Sequence, residues 1–299
     1  MTYEEILKKL VDEDERFIIM TAENRAAIRN LPNQIGDRFI DTGITEQTLV
    51  GTAAGLALRG RIPVIHALAT FLTMRAFEFI RTDVGIGNLP VKIVGGFSGF
   101  MSDGNGATHQ SLEDISIMRG IPNVNVWCPS DEEDMLIGLE TVLKSESPFY
   151  IRYNNTKSSV SHSKDFEIGK AEVLSEGNDV AILVYGFLLV QAVEAKKILE
   201  AQGKSVRLIN LRTVKPIDEE QILKAAKECK MIVTIEDHFL TGGLYSIIAE
   251  IFLKNQITAK VLPFAMDNKW FKPVLMNDLL EYEGFTGKAI AEKITKNFS

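Results

Sequence analysis

The chain has 299 residues, 45% of them hydrophobic and 24% charged, with a formal net charge of -7. This is an ordinary globular composition, with length for about two domains of ~100–200 residues. The acidic balance argues against a nucleic-acid binder, which needs a basic face to release counterions. No run of about 18 apolar residues offers a membrane span, and the charged start MTYEEILKKL lacks the apolar core of a signal peptide. Cys128 and Cys229 lie far apart in the chain. They form no disulfide framework or zinc spacing and read as buried small hydrophobes, so a reducing cytoplasm is the expected location.

Short apolar runs alternate with helical stretches from the start of the chain. The pattern predicts strands over 17–21, 39–41, 63–67, 91–95, 124–127 and 149–153, with helices over 46–58, 71–84, 113–119 and 131–144 between them. Ser130 reads as the N-cap of the last of these helices, ahead of an acidic first turn. Such alternation implies a parallel sheet covered on both faces. Residues 154–170, NNTKSSVSHSKDFEIGK, are polar and Ser-rich without an apolar period and read as a linker. A second α/β series follows, with strands over 180–185, 205–210, 231–235 and 259–261 and helices over 189–201, 219–227 and 242–252. The expected fold is α/β, with two doubly wound domains over 1–158 and 168–299.

Three stretches of the first domain carry chemistry. Asp41-Thr42-Gly43-Ile44-Thr45-Glu46-Gln47 follows a short strand and leads into a small, apolar helix. That places Glu46 where a strand end meets a helix start, the crevice ligands favour in parallel sheets. Desolvation there favours the protonated carboxyl; the plain alternative is an acidic residue complementing a helix N-terminus. In Ala69-Thr70-Phe71-Leu72, with Met74 and Phe77 beyond, three large side chains recur at a spacing of three, a wall for a flat heteroaromatic ring or ordinary core. The glycine-rich loop over 95–110 brings Asp103, Asn105 and His109 to the same sheet edge.

The order and spacing of these stretches resemble the pyrimidine-binding domain of transketolases. The likeness continues through Met118-Arg119, Ile121-Pro122 and Pro129-Ser130-Asp131. The same series occurs in 1-deoxyxylulose-5-phosphate synthases and in the β subunits of 2-oxoacid dehydrogenases. Glu236-Asp237-His238 and Thr241-Gly242-Gly243-Leu244 resemble the C-terminal domain of that group, so the likeness covers nearly the whole chain. It implies a thiamine-diphosphate enzyme in which Glu46 hydrogen-bonds the aminopyrimidine ring and activates the cofactor by proton relay. Ile44, Phe71, Met74 and Phe77 are then expected beside the cofactor, with Met74 a thioether where many transketolases have a second aromatic.

His109 matches a histidine that contacts substrate hydroxyls and helps in proton transfer. Asn105 stands where transketolases commonly carry an aspartate that reads donor stereochemistry; either Asp103 takes that part or the loop is shifted by an insertion. Phe97 stands at a further histidine position, and these departures bear on the sugar substrate. Arg152 matches an arginine that grips a substrate phosphate through paired, charge-assisted bonds. Arg25, on an early loop, and His66, at a strand end, are further candidates for substrate contact.

The family binds the cofactor's diphosphate through magnesium, with Gly-Asp-Gly and a downstream Asn. No Gly-Asp-Gly occurs in this chain, so no metal ligand is expected here. Those ligands are expected on a second subunit, in an α2β2 assembly or alongside a homodimer of this chain. The resemblance therefore implies the small subunit of a split transketolase acting on sugar phosphates. The β subunit of a 2-oxoacid dehydrogenase, or a 1-deoxyxylulose-5-phosphate-synthase-like enzyme, is the alternative, and Arg75 beside Met74 keeps the synthase open.

Overall fold

The computed structural model describes residues 1–298. Among the described residues, twelve strands form two sheets. The first seven elements of this kind are β1 (Phe17–Thr21), β2 (Phe39–Asp41), β3 (Ile62–Leu68), β4 (Lys92–Gly96), β5 (Asn125–Trp127), β6 (Phe149–Arg152) and β7 (Glu172–Ser175). They are followed by β8 (Val180–Val184), β9 (Val206–Asn210), β10 (Thr213–Lys215), β11 (Met231–Phe239) and β12 (Val261–Met266). The first sheet has the order β10-β5-β6-β4-β3-β1-β2 and is parallel except for β10. The second has the order β12-β11-β8-β9-β7 and is parallel except for β7. Central strands such as Phe-Ile-Ile-Met-Thr and Val-Ala-Ile-Leu-Val are buried at every residue, as parallel strands covered by helices on both faces require.

Helices form where apolar spacing and caps agree. Thr2 and Glu5 make a capping box for Tyr3–Glu13, whose Tyr3, Ile6, Leu7, Leu10 and Val11 are buried on one face. Asp218 caps Glu219–Glu228 through the amide of Gln221. For Glu132–Lys144 the cap is Asp131, not Ser130 as expected: its side chain accepts from the Asp134 amide, and Ser130 bonds the Asp134 carboxylate instead. The strand β10, which the sequence pattern does not show, belongs to the second series by position yet pairs with β5 of the first sheet. One apolar core accordingly runs from Val50, Ile65 and Tyr150 to Leu183, Leu211 and Ile248.

Residues 154–170 carry no helix or strand, but they are strapped down. Asn154 and His162 are buried. The His162 imidazole lies between Asp131 Oδ2 at 2.9 Å and Glu172 Oε2 at 2.7 Å. Burial opposes its charge, yet hydrogen bonds to Asp131 and Glu172 push its pKa up to about 10. Arg212 adds a second cation, 2.7 Å from Asp134 and 3.1 Å from Glu172, and donates to Ser163 and Asp165 carbonyls. Asp134, His162 and Glu172 converge closely enough for a metal ion, but His162 and Arg212 already neutralise the carboxylates. Among the described residues no helix is long and apolar enough to cross a membrane.

Candidate active site

The segment expected as one regular helix over 71–84 is not regular. It opens with a π turn, Phe71–Arg75, passes through Phe77–Phe79, and closes with a second π turn, Ile80–Gly85. The first wide turn is sealed by the Ala76 amide donating to the Phe71 carbonyl, 3.2 Å away. Such turns recur at functional sites because they re-aim side chains. Here the widening breaks the expected stripe. Phe71 faces the sheet edge, whereas Met74 and Phe77 line a neighbouring groove of about 570 Å³ with Arg81, Ser116, Ile117 and Pro122.

Glu46 opens the helix Glu46–Ala57. The turn before it needs Gly43 at φ 69°, a conformation costly for other residues. Ile44 on that turn is 69% exposed. Glu46 itself is 2% exposed, at a helix N-terminus that favours a carboxylate. Its Oε2 accepts from Arg75 Nη1 at 2.9 Å. The Arg75 guanidinium lies 4.1 Å over the Phe71 ring, and Phe71 meets the His109 ring edge-on at 5.2 Å. Glu46, Arg75, Phe71 and His109 thus form one cluster at the carboxyl edge of the first sheet.

The glycine-rich loop holds His109 there, and the C-terminal lobe holds the loop. Gly99, at φ 56°, lies so close to Asp237 that a Cβ would sit 1.8 Å from its carboxylate. Phe100 enters a cluster with Phe271 and Phe285 at ring distances of 5.4 and 4.9 Å. Gln110 Nε2 donates to the Phe271 carbonyl at 2.9 Å, and the Val274 amide donates to the Asp103 carbonyl at 3.3 Å. His109 Nδ1 is 3.0 Å from the Thr108 hydroxyl. Asp103 and Asn105 lie on the same loop; Asp103 accepts from the Gly104 amide, and Asn105 donates to Ser102 Oγ at 3.3 Å.

Three expected substrate residues are placed otherwise. Arg152 is 3% exposed. Its Nε and Nη2 donate to Asp114 at 2.8 and 2.6 Å, and its Nη1 donates to Asp237 at 2.5 Å. With the guanidinium shared between two buried aspartates, it ties the lobes and offers no fork to a phosphate, which corrects the expectation. Burial raises the Asp237 pKa to about 6 against the pull of Arg152, and burial raises Glu236 to about 8. Glu236 accepts from the Leu244 and Tyr245 amides, so it caps the helix Leu244–Lys254. His66 is likewise corrected: its ring nitrogens meet the Tyr3 hydroxyl at 2.8 Å and the Met20 carbonyl at 3.2 Å, and burial lowers its pKa to about 4. Arg25 is paired with Asp41 at 2.6 Å, on the rim rather than in the cluster.

His66 nonetheless walls a cavity of about 80 Å³, with Asn24, Phe97, Met101, Tyr153 and Asn155, at the ends of β3, β4 and β6. Phe97 holds φ 56° there, an uncommon conformation for a bulky residue and one that concentrates at functional sites. Sequence reasoning missed Asn24 and Tyr153, which carry no motif of their own. It noted Arg75 but gave it no contact; its position four residues after Phe71 was the available signal.

Residues 1–159 match the family model described as the transketolase pyrimidine binding domain, and residues 169–290 match that of the transketolase C-terminal domain. The chain is 33% identical over 298 residues to a Methanocaldococcus jannaschii protein named as a transketolase C-terminal section, covering 98% of this chain and 93% of the relative. It is 36% identical over 258 residues to the 6-deoxy-6-sulfo-D-fructose transketolase subunit of a Clostridium species, covering 85% of this chain and 80% of the relative. Several 1-deoxy-D-xylulose-5-phosphate synthases also match, and the chain spans about half of their length. A solved structure titled as a split gene transketolase, an inactive β4 tetramer, superposes with a TM-score of 0.88 at 32% identity, covering 99% of this chain and 96% of that one.

Proposed function

The chain belongs to the transketolase family, and from that premise we propose that it is the small subunit of a split, thiamine-diphosphate-dependent transketolase that moves a two-carbon ketol unit between sugar phosphates. Its domains would divide over 1–158 and 168–299. The observation that carries the reading is the cluster of Glu46, Phe71 and Arg75. A planar cation already stacks on Phe71 and donates to Glu46 there, so the two side chains suit a flat nitrogen heterocycle such as the cofactor's aminopyrimidine. Met74 and Phe77 would flank that ring from the neighbouring groove, with Ile44 beside it on the exposed turn.

When bound, thiamine diphosphate supplies the carbanion chemistry by which a ketol unit leaves one carbonyl for another. The task of Glu46 is to hold a proton between its carboxylate and a ring nitrogen, from a buried position where water does not compete. His109, with Nδ1 near Thr108, has Nε2 for a substrate hydroxyl, and Asn105 and Asp103 stand on the same loop to read sugar configuration. Arg25 is a rim cation for the anionic end of the substrate. The diphosphate and magnesium ligands belong to a second subunit, since no Gly-Asp-Gly is present, in an α2β2 assembly or with a homodimer of this chain. The inactive state of that split β4 neighbour fits a chain that needs such a partner. Two unpaired cysteines fit a cytoplasmic location.

A reaction like that of 1-deoxyxylulose-5-phosphate synthase is the second reading, favoured by Arg75 in the cluster. The test is to co-purify the chain with a subunit carrying Gly-Asp-Gly and to assay ketol transfer from a ketose phosphate to an aldose phosphate with cofactor and magnesium. Turnover is expected only with both chains. Decarboxylation of a 2-oxoacid without ketol transfer would move the chain to the synthase or dehydrogenase reading, and neither activity would leave it without a catalytic role.

A further inference from the structure

Arg75 sits in the middle of the cluster with no part in the reaction outlined above. Its two contacts are those required of the cofactor ring. The guanidinium covers Phe71 at 4.1 Å from the ring centroid, which is stacking contact, and it gives an N–H to Glu46 Oε2 at 2.9 Å. A protonated aminopyrimidine offers the same chemistry: a flat, delocalised cation that stacks on an aromatic face and turns an N–H toward a carboxylate. Two planar groups cannot share one ring face at van der Waals distance.

The local backbone brings Arg75 to this place. The π turn begins at Phe71 and ends at Arg75, and its i→i+5 bond returns the chain over the ring. The two ends of the contact differ in freedom. Glu46 is 3% exposed at its side chain and Arg75 is 42% exposed. The carboxylate is therefore fixed, while the guanidinium rides on a long stem that solvent can receive.

We propose that Arg75 is an internal placeholder for the cofactor's aminopyrimidine ring, covering Phe71 and neutralising Glu46 until the ring displaces it. The inference rests on the thiamine-diphosphate reading. Its physical content is competition: the ring can enter only in the fraction of molecules whose Arg75 has swung out, so apparent affinity is reduced by that fraction. An ion pair whose cation alone is exposed, at 42%, together with a cation–π contact, corresponds to a fraction of order one in ten. The placeholder also spares the lone chain a buried, unpaired carboxylate at an apolar ring face.

Calorimetric titration of thiamine diphosphate, at fixed magnesium, into the complex of this chain with its diphosphate-binding partner tests the proposal. The variants are Arg75→Met, which keeps the stem and removes the stacking cation, Arg75→Lys and Glu46→Gln. Arg75→Met is expected to bind the cofactor about 10-fold more tightly than wild type, with Arg75→Lys between the two and Glu46→Gln weaker. Equal or weaker binding by Arg75→Met, with Glu46→Gln still impaired, overturns the placeholder and makes Arg75 a ligand of cofactor or substrate. No cofactor binding by wild type or any variant overturns both the placeholder and the reading beneath it.

Discussion

Two arginine–carboxylate contacts in this chain look alike in sequence and differ in surroundings. Arg152 is buried between Asp114 and Asp237, with three hydrogen bonds, of which the one to Asp237 crosses to the C-terminal lobe. Arg75 gives one bond to Glu46 and stays 42% exposed. The first is a tie: removing one partner leaves buried charge with nothing to compensate it. The second is a contact that solvent can replace on one side. Burial and the number of bonds, not residue type, separate a structural clasp from a place where chemistry can occur.

The comparison breaks most readily at Arg152. Arg152→Met is expected to cost about 3–5 kcal/mol of stability by stranding Asp114 and Asp237, read as a lowered denaturant midpoint, with Tyr150, which donates to Asp114 at 2.6 Å, left to meet that carboxylate without its cation. A variant as stable as wild type would show that the clasp is not what joins the lobes. Glu46→Ala should do the reverse: retain the fold while lowering turnover of the two-subunit enzyme by roughly 10²-fold or more, the scale of a positioned acid–base group. Activity within a few-fold of wild type would remove Glu46 from the mechanism.

His162 provides a graded case, because its charge is held by Asp131 and Glu172. Its folded pKa is raised above the unfolded value, so its contribution is fully present below about pH 6.5 and is lost as pH rises through about 10. The destabilisation caused by His162→Gln, measured by thermal unfolding across that range, should shrink with rising pH. A pH-independent difference would mean that the imidazole acts by shape alone. A smaller effect than that of Arg152→Met is expected on the stability of Arg75→Met, because one bond is lost and solvent can enter where the 42%-exposed guanidinium stood; a loss as large as that of Arg152→Met would erase the distinction between the two arginines.

Much of the architecture was legible along the chain. Parallel strands such as Phe17–Thr21 and Val180–Val184 announce themselves as apolar runs because both their faces are buried. β10 and β7 did not, since one is three residues long and both sit at sheet edges where half their pattern is polar. The polar stretch over 154–170 read as a linker, because composition reports solvent preference and not the ion pairs that hold His162 and Arg212 in place. In the site, Glu46, Phe71 and His109 were recognisable from type and order, and the structure brings them together.

The sequence by itself therefore determined the alternation of strands and helices, the family, and the chemical types that line the sheet edge. These depend on period and on motif, which are local properties of the chain. The tertiary structure decided which charges meet. Arg152 lies 85 positions before Asp237, and Arg75 lies 29 after Glu46. Whether such a pair is a sealed clasp or an open contact depends on the solvent left between elements once they pack, and no local pattern carries that quantity.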